Sequence, residues 1–372
     1  MVSVLFVFGT RPEAVKLCPV IREMASQPER FRVETCVTAQ HRDLLDQVLR
    51  VFRVRPDHDL NLMEPGQTLT SVSAKILAGL EPVLAQSRPE MVVVQGDTAT
   101  TFCGALAAFH QRIPVTHVEA GLRTGDMGHP FPEELNRILT TRIAALHCAA
   151  TGWAASNLRG EGVPEERVSV TGNPGIDAVR YVAGRLEAAE LTAPDLPRKD
   201  PSKKLILVTA HRRESFGAPM EAICAALRRI ARRDDVQVVF PAHPNPSVRR
   251  TVESNLAGIP NIDVVKPLDY VGFVDLMRRS TLLLTDSGGV QEEGPSLGKP
   301  VLVMRESTER PEAVEAGCAR LVGTDASRIA AATESLLDDA RKRQAMSRVH
   351  NPFGDGEASP RISNLISSFA GP

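Results

Sequence analysis

The 372-residue chain has no excess of either charge: 44 Lys and Arg stand against 45 Asp and Glu, a formal net charge of −1. Without a basic surplus nothing neutralises a phosphate backbone in bulk, which excludes nucleic acid as a general partner. Any anionic ligand must then be held by a local pocket. No apolar run approaches the roughly 20 residues that span a bilayer, so no membrane partner is expected. Residues 1–8 are apolar but lack a basic flank and a small-residue cleavage site, and they run straight into Arg11-Pro12-Glu13. They read as a buried strand and not as a signal peptide, and a cytoplasmic location is expected. The six cysteines (Cys18, Cys36, Cys103, Cys148, Cys224 and Cys318) show no C-x-x-C spacing. Their apolar neighbours fit reduced core thiols better than a disulfide frame or a zinc site. Walker A, H-E-x-x-H and G-x-S-x-G sequences are lacking, as is a G-x-G-x-x-G after the first apolar run. No metal and no cofactor is expected. There is no internal repeat and no low-complexity tract.

What is present has the balance of a globular protein, with 42% hydrophobic and 24% charged residues. The length exceeds one ordinary core and suits two domains of roughly 150 to 200 residues each. Short β-branched runs at residues 4–8, 33–38, 91–95 and 115–118 alternate with stretches of helical period. After a turn-rich hydrophilic segment at 192–204 the pattern restarts, at 205–209, 236–240, 262–265, 282–285 and 301–304. Continuous apolar runs are what a parallel sheet covered by helices on both faces requires. The expected fold is therefore α/β, two doubly wound Rossmann-like domains facing across a cleft. Residues 1–172 would form the first domain and 173–356 the second. A last helix at about 357–370 would pack back on the first.

In such sheets ligands sit beyond the carboxyl ends of the strands, and the polar residues gather there. The first run ends in Gly9-Thr10-Arg11-Pro12-Glu13, placing Arg11 and Lys16 near a helix N-terminus that itself attracts anions. A helix start with two solvated cations is an equal reading of that segment alone. Gly96-Asp97-Thr98 and Glu119-Ala120-Gly121 put carboxylates just past two buried runs. Each has a plainer account, Asp97 or Thr98 as a helix cap and Glu119 as a partner of Arg123. Two carboxylates at neighbouring strand ends are harder to dismiss. Glu133 and Glu134 follow at a helix start, where acids also serve the dipole. The second half offers His211-Arg212-Arg213-Glu214, His243 after 236–240, and Asp286-Ser287-Gly288-Gly289 with Glu293. Paired glycines between strand and helix let backbone N–H groups approach a phosphate. Arg305 to Glu312 closes the set, with pairing among its own charges as the simpler reading.

The ordered series resembles the non-hydrolysing UDP-N-acetylglucosamine 2-epimerases of bacteria. The resemblance rests on Gly9-Thr10-Arg11-Pro12-Glu13, Thr38-Ala39-Gln40-His41-Arg42, Gly96-Asp97-Thr98 and His117-Val118-Glu119-Ala120-Gly121-Leu122-Arg123-Thr124. It continues through Pro132-Glu133-Glu134 with Asn136-Arg137, Thr171-Gly172-Asn173, His211-Arg212-Arg213-Glu214, Asp286-Ser287-Gly288-Gly289 with Gln291-Glu292-Glu293, Glu309-Arg310-Pro311-Glu312, and Asn351-Pro352-Phe353-Gly354-Asp355-Gly356. It implies a glycosyltransferase-B-like fold, a homodimer, and interconversion of UDP-GlcNAc and UDP-ManNAc that supplies ManNAc-type sugars for surface polysaccharide. Carried over residue by residue, it implies that Arg11, Lys16, Ser287, Gly288, Gly289, Glu293 and Arg310 hold UDP, with Phe273 near the uracil. Asp97, Glu119, Glu133 and His211 become the catalytic set. An allosteric pocket for a second UDP-GlcNAc falls on Gln40, His41, Glu134, Arg212 and His243. The chain departs from the pattern at Gln95, where many members have His, at Pro174-Gly175, at Gly66 and at Leu268.

The implied chemistry has its own logic. C2–H of GlcNAc is not acidic, and no nicotinamide site is evident to create a carbonyl beside it. Expelling UDP from C1 builds positive charge there and acidifies C2–H; loss of the proton gives 2-acetamidoglucal, and UDP then re-adds. Such a route needs cations and backbone donors for the diphosphate, each worth roughly 3 kcal/mol of barrier. It also needs acid–base groups on both faces of C2, which one carboxylate cannot supply. Neighbouring carboxylates are expected to raise at least one pKa. Rival readings are a retaining glycosyltransferase of the same fold, a non-catalytic UDP-sugar sensor, and an epimerase of a UDP-diacetamido-uronate.

Overall fold

A computed structural model describes the chain except Gln40, His41, Pro65, Pro194, Asp195, Lys199, His243, Pro244, Ala370, Pro372 and the side chains of Asp43, Arg213 and Ser247. The chain divides into two compact units, Met1–Ala178 with Phe353–Pro372, and Val179–Pro352.

The first unit carries strands β1 (Val2–Phe8), β2 (Phe31–Val37), β3 (His58–Asp59), β4 (Met91–Gln95), β5 (Val115–Ala120), β6 (Leu146–Ala149) and β7 (Val168–Val170). They pair in the order β3-β2-β1-β4-β5-β6-β7, parallel throughout. Its helices are α1 (Arg11–Ala25), α2 (Arg42–Phe52), α3 (Leu69–Ser87), α4 (Ala99–His110), α5 (Glu133–Ile143) and α6 (Gly152–Gly160). Every residue of β1 and β4 is buried, as a strand between two helical layers demands.

Helix α7 (Pro174–Glu187) leads into the second unit, whose strands are β8 (Lys204–Thr209), β9 (Val236–Pro241), β10 (Ile262–Val265), β11 (Leu282–Thr285), β12 (Val301–Val303) and β13 (Ala319–Leu321). The order is β10-β9-β8-β11-β12-β13, again parallel. Its helices are α8 (Ala218–Ile230), α9 (Pro246–Leu256), α10 (Tyr270–Arg279), α11 (Gly288–Ser296), α12 (Pro311–Glu315), α13 (Ala326–Asp338) and α14 (Ala340–Ser347). Phe240, Leu284, Leu302, Ile223 and Ile329 meet in one core between sheet and helices. Helix α15 (Ala358–Phe369) returns to the first unit and packs on α1. Its first amides, Ala358 N and Ser359 N, donate to the half-buried Asp177 carboxylate at 3.3 and 2.7 Å.

Both sheets follow the doubly wound order in which connections reverse between the first and fourth strands of the unit, here β1/β4 and β8/β11. Loops leaving those strand ends open the crevice where such folds bind ligands. The strands not anticipated from the sequence (β3, β6, β7 and β13) have two to four residues and carry His58, His147, Ser169 or Arg320 in place of an apolar run. All six cysteines are buried free thiols; burial pushes Cys36 and Cys148 up to about 12. No helix among the described residues is long and apolar enough to cross a membrane.

Candidate active site

In the first unit the turn after β1 is built as a capping box. Thr10 caps α1, and Glu13 reaches back to accept from Thr10 N at 2.7 Å and Gly9 N at 3.1 Å. The other Glu13 oxygen accepts from Thr98 Oγ1 at 2.8 Å, so one buried carboxylate ties the turn after β1 to the turn after β4. Burial raises its pKa against those hydrogen bonds. Arg11 opens α1, half-buried, and Lys16 lies one turn on.

Gly96 turns the chain with φ of +74°, a conformation that suits glycine, and presents Asp97. Arg137 Nη2 donates to Asp97 Oδ2 at 2.5 Å, and Asn136 Nδ2 to the Asp97 carbonyl at 2.9 Å. Thr98, not Asp97, caps α4, its hydroxyl oxygen accepting from Thr101 N at 3.1 Å. On the adjacent strand Glu119 is 7% exposed and stands at φ of +61°, where the β5–β6 register shifts. A non-glycine residue held at positive φ is strained, and such strain gathers at functional sites. Lys16 Nζ pairs with Glu119 Oε1, Gln95 Nε2 donates to Oε2, and Asn173 Nδ2 lies 3.3 Å from Oε1. Glu119 does not pair with Arg123, which is taken by Glu161 and Thr141. Glu133 opens α5, half-buried, with no hydrogen bond or ion pair on its carboxylate among the described residues.

Asp97 and Glu119 thus each have their own cation, which counters the mutual repulsion expected of neighbouring carboxylates. Glu134 is 1% exposed, and its oxygens accept from Thr124 N and Gly125 N and pair with Arg137 at 3.2 Å. It is built into the loop ahead of α5. Gln40, His41 and His243 lie outside the described residues.

In the second unit the turns after β8 and β11 meet on Asp286, which is fully buried. Its Oδ2 accepts from His211 N, Arg212 N and Ser215 Oγ, each at 2.8 Å. Its Oδ1 lies 3.4 Å from His211 Nδ1. His211 is thereby held at a strand end while its side chain stays 41% exposed. Ser287 caps α11 without a side-chain bond, so the first amides of the helix, Gly288 and Gly289, point out of its N-terminus with no carbonyl of their own turn to meet. A Cβ on Gly288 would come within 2.9 Å of Arg310 Cζ. Arg310 donates Nε to Glu292 at 2.8 Å and Nη1 to Glu309 at 2.7 Å. Its partners therefore include α11 as well as its own segment, and Arg305 pairs with Glu214. Glu293 and Phe273 are half-buried on α11 and α10.

The turns thus collect Arg11, Lys16, Asp97 and Glu119 in the first unit, with Glu133 on α5. They collect His211, Ser287, Gly288, Gly289 and Arg310 in the second. The residues assigned no role from the sequence are those that hold them: Glu13, Gln95, His117, Asn136, Arg137 and Asn173 around the acids, and Asp286 and Glu292 around His211 and Arg310. The Thr10-x-x-Glu13 spacing of a capping box was a usable signal for Glu13. The others act across the sheet, at separations that local spacing does not encode.

A family model described as UDP-N-acetylglucosamine 2-epimerase matches residues 22–367. The UDP-N-acetylglucosamine 2-epimerase of Salmonella typhimurium is 52% identical over 372 residues, covering 99% of either chain. The crystal structure of UDP-GlcNAc 2-epimerase from Neisseria meningitidis bound to UDP-GlcNAc is 42% identical, with a TM-score of 0.92 over 98% of this chain and 100% of that one. The glycotransferase of kitacinnamycin, 14% identical with a TM-score of 0.66 over 98% of either chain, shares the fold alone. Fold by itself therefore does not separate an epimerase from a sugar transferase. Sequence identity along the whole chain does, and the chain belongs to the UDP-N-acetylglucosamine 2-epimerase family.

Proposed function

We propose that this chain interconverts UDP-GlcNAc and UDP-ManNAc by inverting C2 of the sugar through elimination and re-addition of UDP. The C1–O bond breaks with its electron pair leaving on the diphosphate, and a carboxylate takes the C2 proton, giving 2-acetamidoglucal. Protonation of C2 on the opposite face and return of the diphosphate to C1 complete the inversion, with no net oxidation. Arg11, His211, Arg310, the Ser287 hydroxyl and the Gly288 and Gly289 amides are the donors for the diphosphate, with Glu293 on the sugar and Phe273 at the base. Lys16 belongs to both sets, as the cation on Glu119. Asp97, Glu119 and Glu133 move hydrogen.

The observation that supports this reading best is the first unit's acid cluster. A retaining transferase needs the nucleotide donors, but it has no use for Asp97 and Glu119 secured on neighbouring strand ends by Arg137 and Lys16. Incubating the purified chain with UDP-GlcNAc alone should yield UDP-ManNAc by proton NMR. Transfer of GlcNAc to an added acceptor without that product would favour the transferase, and inertness toward UDP-GlcNAc with activity on a diacetamido-uronate would move the substrate. A homodimer and activation by a second UDP-GlcNAc belong to the same reading. Sedimentation as a monomer would remove the first. Conversion of UDP-ManNAc with hyperbolic kinetics and no UDP-GlcNAc present would remove the second.

A further inference from the structure

The Gly96-Asp97-Thr98 turn is gripped at each residue by a different element. Glu13 of α1 takes Thr98, and Asn136 and Arg137 of α5 take Asp97. His117 of β5 takes Gly96: its Nε2 lies 2.7 Å from the Gly96 carbonyl oxygen. A carbonyl only accepts, so the imidazole carries its proton on Nε2. The ring is fully buried, and burial pushes its pKa down to about 3, leaving it neutral. The lone pair is then on Nδ1, which has no hydrogen-bond partner among the described residues. A buried acceptor without a donor opposes folding, and a leucine or phenylalanine would fill this strand position without that penalty. Packing therefore does not explain a histidine here, and the bond made by Nε2 must.

That bond has a specific consequence. Gly96 N donates to Val118 O at 3.0 Å and is the end of the β4–β5 ladder; the positive φ then turns the Gly96 carbonyl out of the sheet. Gly96 also stands between Gln95, which grips Glu119, and Asp97 itself. Rotation of this one peptide would move Asp97 relative to Glu119, which Gln95 holds from the ladder side. We propose that His117 is a positioning residue: by donating Nε2–H to the Gly96 carbonyl it fixes the spacing of the Asp97 and Glu119 carboxylates. This rests on the epimerase reading above.

The test uses the full chain and two variants. His117→Phe keeps the ring and removes the donor, while His117→Gln keeps a side-chain N–H. Misplacing a reacting group by about 1 Å costs on the order of 100-fold in rate. The Phe variant should therefore lose about that factor in kcat while KM for UDP-GlcNAc stays within about threefold, and the Gln variant should recover at least about tenfold. Wild-type kcat in the Phe variant, or Gln no better than Phe at matched melting temperatures, would overturn the proposal. Where Phe does not fold, the wild-type chain labelled with 15N-histidine decides. The imidazole whose signal is missing from the Gln variant should stay neutral with its proton on Nε2 from about pH 8 to about pH 5. A proton on Nδ1, or titration in that range, overturns the proposal. A wild-type chain that does not epimerise UDP-GlcNAc refutes the functional reading alone, because the tautomer still reports whether His117 holds Gly96.

Discussion

Replacing Asp286 by Asn separates charge from shape at the centre of the second unit's strand-end turns. One oxygen, Oδ2, collects His211 N, Arg212 N and Ser215 Oγ at 2.8 Å each, in a fully buried setting. An asparagine oxygen in the same place keeps all three donors but meets them without the carboxylate charge. Hydrogen bonds to a charged group are about twice as strong as neutral ones, so the change costs roughly 1 kcal/mol per bond, about 3 kcal/mol in all. The amide nitrogen would also replace Oδ1, which lies 3.4 Å from His211 Nδ1, removing the carboxylate that faces the imidazole. Amide hydrogen exchange followed by mass spectrometry reads this locally: a loss of about 3 kcal/mol speeds exchange at His211 and Arg212 by roughly 100-fold. Epimerase turnover should fall at least tenfold through the displaced His211. Ser215→Ala removes one of the three bonds and should show about a third of the energetic effect. Wild-type exchange at His211 and Arg212 in the Asn variant would refute the assignment of Asp286 as the anchor of that loop.

Asp97→Asn and Glu119→Gln should each suppress turnover by at least about 100-fold while changing UDP affinity, measured by calorimetry, by less than about threefold; normal turnover in both would remove them from the chemistry. His117 also predicts a pH dependence of stability. Its pKa is depressed to about 3 by burial, so below about pH 6.5 the unfolded chain binds a proton that the folded chain refuses. Its contribution is complete above about pH 6.5 and is lost as pH falls toward 3, amounting to about 2 kcal/mol between pH 7 and pH 5. Urea midpoints of wild type and His117→Gln should differ in slope against pH by that share. Identical slopes would contradict a buried neutral ring. His147, depressed in the same direction by its own burial, remains in both proteins and cancels.

Much of the scaffold was legible because parallel strands buried on both faces leave unbroken apolar runs, as Val92-Val93-Val94 and Leu282-Leu283-Leu284 do. The polar residues that follow those runs then fall at the strand ends by construction. The short strands β3, β6, β7 and β13 were not legible: two to four residues with a histidine, serine or arginine among them give no period to read. At the site, Arg11, Asp97 and His211 could be picked out by position after a strand; Glu119 was expected just past the run 115–118, but β5 continues to Ala120 and carries it. Their pairings could not. Glu119 meets Lys16 across 103 residues, and Asp97 meets Arg137 across 40. Such contacts are set by strand order, so the sequence leaves open the local pairing of Glu119 with Arg123, which the structure replaces with Glu161 beside Arg123. Glu134 shows the converse. Its place at a helix start reads as a partner of the helix dipole, yet it is buried because the loop ahead of α5 folds its own amides, Thr124 N and Gly125 N, onto the carboxylate.

The most direct measurement follows hydrogen at C2. With wild-type chain and UDP-GlcNAc in D2O, and no added nicotinamide, the C2–H must break and re-form from solvent-exchangeable acids. Deuterium should then enter C2 of both the UDP-ManNAc formed and the UDP-GlcNAc recovered, while C3 and C4 keep protium. Product that retains its original C2 hydrogen would contradict elimination and re-addition, whatever the rate of its formation.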